Sequence, residues 1–481
     1  MHTQKDPDSC GVIVLAAGQG KRMKSQVPKA LHEIGGKALL FHVLDRVFET
    51  LPHAKVAIVL GHEHQKIEQL VSESPVFKIH DICFVVQPEQ KGTGDAAKCA
   101  INSEWGEKIL AKKLPVLVLP ADLPLISDEL ILQMTEPLTR SVSLRLLTTE
   151  FQDPTGYGRV IRRGKKGSIL RIVEEKDATL REKQTNEVAV SIYFFQSSFL
   201  KAMSQRLSNR NTQGEYYLTD LVAFAVQRKK TIDILNWKNS DDVRGVNNAW
   251  ELAHAQRLMN ERVVKKWAMQ GVQFIDPWSS WIDVSVELSS GVTIHPGVIL
   301  RGKTKIGPDS VIGPRSVLTD VVVGREVAIK TGTIADSSVI GDYCTVGPYA
   351  HLRLDNQIET HVKIGNFVEL KKTKIGDYTS IAHLSYLGDA EVGKRVNIGC
   401  GFVTCNFDGR IIEGERKHKT IIGDDVFMGS DCQTVAPVTV GQGAYVASGS
   451  TITENVEPGS LAIARSRQVN KIGYVAKKGI N

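Results

Sequence analysis

A chain of 481 residues is too long for one ordinary hydrophobic core, so two or more domains are expected. With 42% hydrophobic and 23% charged residues the composition is that of a globular protein and excludes a disordered or fibrous one. The net charge of +7 is mild, the basic residues form no run, and no apolar stretch nears the ~20 residues of a membrane helix, so neither nucleic-acid binding nor membrane insertion is expected.

The polar start, Met1 to Asp8, lacks the apolar core of a signal peptide. Seven cysteines are scattered without a C-x-x-C pair, which indicates neither a zinc site nor a disulfide framework; reduced thiols in a cytoplasmic protein are expected. Gly11–Leu15 reads as a buried strand running straight into Ala16-Ala17-Gly18-Gln19-Gly20-Lys21-Arg22-Met23, with Pro28-Lys29 behind. Residues 56–60, 82–86 and 116–119 are further buried strands, alternating with amphipathic helices up to about residue 240. That alternation predicts an α/β, Rossmann-like, mostly parallel sheet with ligands beyond the carboxyl ends of its strands. Gly18, Gln87 and Asp122 each fall just past such an end.

Asn248, with Glu251 three positions on, predicts a capped helix that Gly271 ends, linking two domains. From roughly residue 283 the helical period is lost and apolar-Gly pairs recur: Ile306-Gly307, Ile312-Gly313, Ile340-Gly341, Val346-Gly347, Val392-Gly393 and Ile398-Gly399. Ile422, Met428, Thr434, Val440, Val446 and Ile452 continue the six-residue step. This period predicts a parallel β-helix, apolar side chains inward and glycine taking the turn that other residues resist. The register breaks between Thr404 and Ile422, where Arg410 to His418 predicts a loop thrown out of the solenoid.

A strand, a glycine loop and a helix start together offer backbone N–H groups to a phosphate. A Walker loop would need Ser or Thr where Arg22 stands, and a dinucleotide fingerprint a third Gly where Met23 stands. What remains, L-A-A-G-x-G-x-R-M with a trailing Pro-Lys, resembles the sugar-nucleotidyltransferase family. Gln87-x-x-Gln90-Lys91-Gly92-Thr93-Gly94-Asp95 resembles its base-recognition segment, and Pro120-Ala121-Asp122-Leu123-Pro124 its metal-binding aspartate. Gly156-Tyr157-Gly158-Arg159 and residues 172–177, with Glu174, resemble its sugar-side segments, and Asn247 its second metal ligand. Leu15, Ala16, Ala17, Gly18, Gln87, Gly92, Thr93, Gly158, Glu174, Ala189 and Asn247 are the implied UTP and sugar-phosphate contacts. Arg22 and Lys29 would neutralise triphosphate charge, and Asp122 and Asn247 would hold Mg²⁺.

In the second half, His383-Leu-Ser-Tyr386-Leu-Gly-Asp-Ala390 interrupts the hexads, among Arg353, Lys371, Lys372, Asn397 and Cys405-Asn406-Phe407-Asp408-Gly409. This run, with the N-terminal motifs, resembles the bifunctional N-acetylglucosamine-1-phosphate uridyltransferase / glucosamine-1-phosphate acetyltransferase family over almost the whole chain. The resemblance implies domains at 1–247 and 272–481 joined by a helix at 248–271, the second domain being a left-handed β-helix. It implies acetyl transfer from acetyl-CoA to glucosamine-1-phosphate, then uridylyl transfer from UTP. His383 would be the general base, a role that suits an imidazole. Arg353 and Lys371 would grip the sugar phosphate, Tyr386 and Asn397 hold the hexosamine, and Asn406 orient His383 or the acceptor, with Phe407 beside it. Cys400, Ser430, Ser448 and Arg465 would contact coenzyme A, in a homotrimer.

The chain departs from that family at several positions. Ala189 and Ser191 stand where Asn and Gly are usual, Ala121 where Gly is, Phe407 for Tyr and Cys400 for Ala, and the 410–418 segment is longer. Two other readings follow from these departures and from the domain pairing: a nucleotidyltransferase of other specificity on a purely oligomerising β-helix, and a non-catalytic subunit like those of exchange factors.

Overall fold

The computed structural model describes residues 10–18, 20–61, 64–164, 167–409, 411, 414 and 416–478. Met1 to Asp8, Gln19 of the phosphate loop, and Arg410 with residues 412–413 and 415 of the ejected loop lie outside them. The chain divides into two compact units, 1–259 and 260–481.

In the first unit the strands are β1 (Gly11–Leu15), a small hairpin β2 (Glu33–Ile34) and β3 (Lys37–Ala38), β4 (Lys55–Leu60), β5 (Ile82–Val86) and β6 (Val116–Pro120). They continue with β7 (Val142–Glu150), β8 (Gly158–Arg162), β9 (Ile169–Val173), β10 (Glu187–Phe195) and β11 (Thr231–Asn236). Between them run α1 (Leu39–Thr50), α2 (His64–Glu73), α3 (Thr93–Asn102), α4 (Glu104–Ala111), α5 (Asp128–Thr135), α6 (Ser197–Ser204) and α7 (Asp220–Gln227), and α8 (Ala249–Ala268) follows. The large sheet has the order β11-β7-β10-β6-β1-β4-β5, with β8 and β9 attached to β10. Along that path only β10 runs against its neighbours, so the predicted mostly parallel α/β sheet holds.

The continuous apolar strands have a simple cause. Val12 and Val14 of β1, Val56, Ile58 and Leu60 of β4, and Leu117 and Leu119 of β6 enter the core on one face. Ile13, Ala57, Val59, Val116 and Val118 enter a second core on the other face. With helices on both sides the interior residues of these strands are buried whichever way they point, and period-two alternation is lost.

The second unit is a left-handed parallel β-helix of three sheets, each short strand pairing with the third strand after it until the last coil, where Tyr445–Val446 pairs with Leu461–Ala462 two strands on. One inward column runs Ile294, Ile312, Ile329, Val346, Ile364, Ile381, Ile398, Met428, Val446, all buried. Its ordinary step is 17 or 18 residues, one coil. The solenoid starts earlier than the apolar-Gly pairs indicate, at Gln273–Phe274, because its first coil uses Phe274, Ile282 and Leu288 without glycines behind them. Asn260 ties α8 to this coil, donating to Ser280 O at 2.8 Å and accepting from Ile282 N at 2.9 Å.

The expected role of glycine needs correction. Of the six glycines Gly347, at φ 95°, takes the expected turn, but Gly307, Gly313, Gly341, Gly393 and Gly399 have no left-handed φ; beside them that conformation falls two residues later, on Asp309, Arg315, Tyr343, Arg395 and Gly401. Glycine is needed because coils stack backbone on backbone. A Cβ on Gly341 would lie 2.8 Å from Glu359 C and O, and one on Gly399 would lie 2.6 Å from Gly429 C. Buried hydroxyls also close the corners, as where Thr379 Oγ1 donates to Gly393 O at 2.7 Å and accepts from Val396 N at 3.1 Å. The break in register holds: the step from Ile398 to Met428 is 30 residues against 17 from Ile381 to Ile398. The surplus leaves the prism between Cys405 and Thr420.

Gly341→Ala should destabilise the second unit by about 1–3 kcal/mol, the range of an overpacked core. Denaturant unfolding measures it, and an unchanged midpoint would mean the neighbouring coil yields freely.

Candidate active sites

In the first unit the strand ends are locked side by side. Ala16 N donates to Val59 O at 2.9 Å, Ala121 N to Leu15 O at 3.0 Å and Gln87 N to Leu60 O at 2.8 Å. Leu15, Ala16, Ala17, Gly18, Gln87 and Asp122 therefore share one rim of the sheet. Over it Lys29 Nζ forms an ion pair with the Asp122 carboxylate and donates to Asn247 Oδ1 at 2.8 Å. Arg22 Nη2 donates to the same Oδ1 at 2.9 Å. Four predicted residues from four separate segments thus meet.

Asn247 is held by the start of α8. The capping pair forms, Glu251 N donating to Asn248 Oδ1 at 2.9 Å, but the Glu251 carboxylate reaches one residue further back and accepts from Asn247 N at 2.6 Å. Gly245 N donates to Tyr157 Oη at 3.1 Å and Val246 N to Asp122 O at 3.0 Å. Burial pushes the Tyr157 hydroxyl up to about 12, so it stays protonated. The ideal Cβ position of Gly245 lies 3.6 Å from Asn247 Nδ2 and 3.7 Å from Asp122 Oδ2.

A hard divalent cation fits this corner. A carboxylate and an amide oxygen are the donors Mg²⁺ takes, and the structure already places a cation, the Lys29 ammonium, against both. Among the described residues no group of three or more His, Cys, Asp or Glu could hold a metal. Asp122 and Asn247 would therefore be joined by water and phosphate oxygens.

Gln87 is buried, and its Nε2 donates inward to Gly92 O at 3.2 Å and Asp95 Oδ2 at 2.7 Å. Only its carbonyl oxygen is left for a ligand. Gly92, at φ 99°, lets the chain pass Tyr216, whose carbonyl would stand 2.7 Å from a Cβ there. Thr93 Oγ1 is used by the fold, accepting from Leu218 N at 3.2 Å. On the sugar side Gly158 pairs with Ala189, and its ideal Cβ lies 3.5 Å from Glu174 Oε1, which accepts from Thr219 Oγ1 at 2.9 Å. Ser191 sits at φ 59° where the β10 ladder slips between Ala189 and Tyr193. Burial pushes the Glu174 carboxyl up, opposed by the Thr219 hydroxyl, and burial with the Asp177 charge pushes Asp220 up to about 6.

In the second unit the coil period makes columns. Asn366, His383, Cys400, Ser430 and Ser448 each lie two residues past an inward column residue, so they occupy one corner in successive coils about 4.8 Å apart. Arg465 reaches the top of this column, its Cδ 3.7 Å from the ideal Cβ of Gly449. His383 Nδ1 lies 2.7 Å from Asn366 Oδ1, an acceptor, so in the neutral ring Nδ1 carries the hydrogen and the lone pair is on Nε2.

The next corner carries Arg353, Lys371, Gly388 and Cys405, again one per coil. Arg353 Nη1 pairs with Glu369 Oε1 at 3.0 Å. A Cβ on Gly388 would lie 2.4 Å from Tyr386 Oη and 2.6 Å from Asn406 Nδ2, so those two side chains close over the bare glycine. Asn397 lies on the exposed face of its strand, beside Ser380 and Phe427 rather than in either corner. Phe407 is exposed at the neck of the ejected loop, with Lys417 Nζ 4.6 Å from its ring centre.

A family model of the MobA-like NTP transferase domain matches residues 12–181, and one of the hexapeptide repeat of succinyl-transferase matches 419–454. The bifunctional protein GlmU of Alkaliphilus metalliredigens (strain QYMF) is 42% identical over 469 residues, 97% of this chain and 98% of the relative. That of Geotalea uraniireducens (strain Rf4) is 40% identical over 98% of this chain and 100% of the relative. That of Clostridioides difficile (strain 630) is 41% identical over 97% of each. The chain belongs to the bifunctional GlmU family. It is accordingly an enzyme with two activities in UDP-N-acetylglucosamine synthesis: acetyl transfer to glucosamine-1-phosphate, and Mg²⁺-dependent uridylyl transfer from UTP. The single-activity and non-catalytic readings are set aside. No helix of the described residues is long and apolar enough to cross a membrane.

Sequence reasoning placed Tyr157 only within a sugar-side segment, whereas its hydroxyl holds the Gly245 backbone, and it gave no role to Gly61, Gly245, Asn366, Glu369 or Asp389. A Cβ on Gly61 would lie 2.3 Å from Gln90 Nε2 and 2.6 Å from Ala17 O, so glycine there lets the base segment approach the phosphate loop. The last three were findable, because Asn366, Glu369 and Asp389 precede His383, Tyr386 and Asn406 by one 17-residue coil.

A carboxyl with a raised folded pKa favours folding below its ordinary value and costs stability as the pH climbs through the raised one. Asp220→Asn should therefore gain stability relative to the parent between pH 4 and pH 7, by about 1 kcal/mol once solvent screening is allowed for. Denaturation at both pH values checks it; a pH-independent difference would refute it.

Proposed function

We propose that the two family activities are carried by the residues assembled above. In the first site a sugar-1-phosphate oxygen attacks the α-phosphorus of UTP and pyrophosphate leaves. Arg22 and Lys29 move from Asn247 and Asp122 onto triphosphate oxygens, while the 15–18 backbone receives the nucleotide. Asp122 and Asn247 would hold Mg²⁺, which when bound would supply neutralisation of the phosphate charge. Gln87, Gly92 and Thr93 shape the base pocket, and Gly158, Glu174 and Ala189 line the sugar side. Catalysis is positioning plus charge neutralisation, with no protein nucleophile.

In the second site His383 Nε2 takes a proton from the glucosamine amine as its nitrogen attacks the acetyl-CoA carbonyl. The carbon–sulfur bond breaks and the CoA thiolate leaves, to be protonated. The hydrogen bond from His383 Nδ1 to Asn366 Oδ1 carries this reading, since it fixes the tautomer that a base requires. Arg353 and Lys371 hold the phosphate, Tyr386, Asn397, Asn406 and Phe407 the hexosamine, and Cys400, Ser430, Ser448 and Arg465 the coenzyme. Asn397 stands apart from both corners within one chain, which favours a site completed by a neighbouring copy in a cytoplasmic homotrimer. The domains run 1–247 and 272–481, with 248–271 as the joining helix.

His383→Ala should lower acetyl transfer by about 10²–10⁴-fold and leave uridylyl transfer unchanged. Lys29→Ala should lower uridylyl transfer about a hundredfold or more and spare acetyl transfer, as should removal of Mg²⁺ with a chelator. Mass spectrometry of acetylated sugar and UDP-sugar reads both; loss of the two activities together in either variant would overturn the assignment. Sedimentation should give three times the 52.9 kDa chain mass.

A further inference from the structure

Asn406 is buried, although it stands where the chain leaves the solenoid. Its Nδ2 donates to Asp389 Oδ2 at 2.6 Å, and among the described residues its Oδ1 accepts nothing from the protein. A carboxylate can only accept, so it dictates which end of the amide faces it. The same Nδ2 lies over Gly388 together with Tyr386 Oη, so the nitrogen end of the amide is the one the fold engages and the carbonyl oxygen is the end left for a ligand.

Asp389 is itself firmly placed. Its N donates to Lys371 O at 3.0 Å and its O accepts from Thr420 N at 3.3 Å, the residue at which the chain re-enters the prism. The ejected loop is closed at its neck by His418 N donating to Asn406 O at 2.9 Å. Gly388 N donates to Thr404 Oγ1 at 2.7 Å, clamping together the two strands that carry Tyr386 and Asn406. Asp389 has φ 50°, a left-handed conformation that Asp, Asn and Gly tolerate.

We propose that Asp389 is a positioning residue for acetyl transfer, its carboxylate holding the Asn406 amide so that Oδ1 is presented to the hexosamine as an acceptor. The proposal rests on the second site as assigned above. Asp389 touches no substrate in this account and acts through Asn406 alone.

The test is a double-variant cycle in the full-length protein, reading acetyl-transfer kcat and KM for glucosamine-1-phosphate, with uridylyl transfer as the control for an intact fold. Asp389→Gly keeps the backbone conformation and removes the carboxylate; Asp389→Asn keeps an acceptor oxygen. Alone, Asp389→Gly should lower kcat/KM by about ten- to a hundredfold, the worth of one charge-assisted hydrogen bond, and Asp389→Asn should recover part of it. In an Asn406→Ala background Asp389→Gly should cost no more than about twofold further. A full additional loss in that background would overturn the proposal while leaving the site assignment standing. An Asn406→Ala variant with parental acetyl transfer would overturn the assignment of Asn406 and the proposal with it.

Discussion

The second half of the molecule depends on the close stacking of one backbone coil on the next. Where a methyl group would fall less than 3 Å from the coil above, glycine is obligatory, as at Gly307, Gly341, Gly365 and Gly399. That contact fixes the rise per coil at the spacing of neighbouring strands, about 4.8 Å. Side chains 17 or 18 residues apart are therefore neighbours in space. The Asn366–His383 and Asp389–Asn406 hydrogen bonds, and the Arg353–Lys371 and Ser430–Ser448 neighbours, are all this one repeat.

The first half solves a different problem, gathering charge from segments far apart in the chain. Its parallel strands end together, and each end carries one element of the site: the glycine loop, Gln87 and Asp122. Asn247 arrives from beyond the sheet, steadied by the cap of α8. Two cations and two oxygen donors then stand within hydrogen-bonding distance of one another. Two cations against one carboxylate and one neutral amide leave an excess of positive charge, which suits the corner to receive a polyanion and its metal.

The sugar side of that first site is where sequence and structure part most. Ala189 is buried in the sheet beside Gly158, with Ser191 left-handed at the slip in β10. Their own burial raises the Glu174 and Asp220 carboxyls, with the Asp177 charge adding to both. None of this follows from the motif, since it arises from residues that β9, β10 and α7 bring together.

Periodicity and local spacing were enough for the sequence by itself to determine the α/β sheet, the hexapeptide solenoid, the ejected segment and the cap at Asn248. Each rests on contacts within a few residues or on a repeat that reports stacking directly. The sequence also held the candidate residues, because phosphate loops and His383 stand in short, distinctive runs. Only the tertiary structure decided that most hexad glycines serve close approach rather than turns, that Gln87 spends its amide hydrogens inward, and that the Thr93 hydroxyl accepts from Leu218 N. It alone joined Arg22 to Asn247 across 225 positions and set Asp389 against Asn406. The reason is that a hydrogen bond or a forbidden Cβ is fixed by which backbones lie within about 3 Å, and that distance comes from packing, which no local pattern encodes.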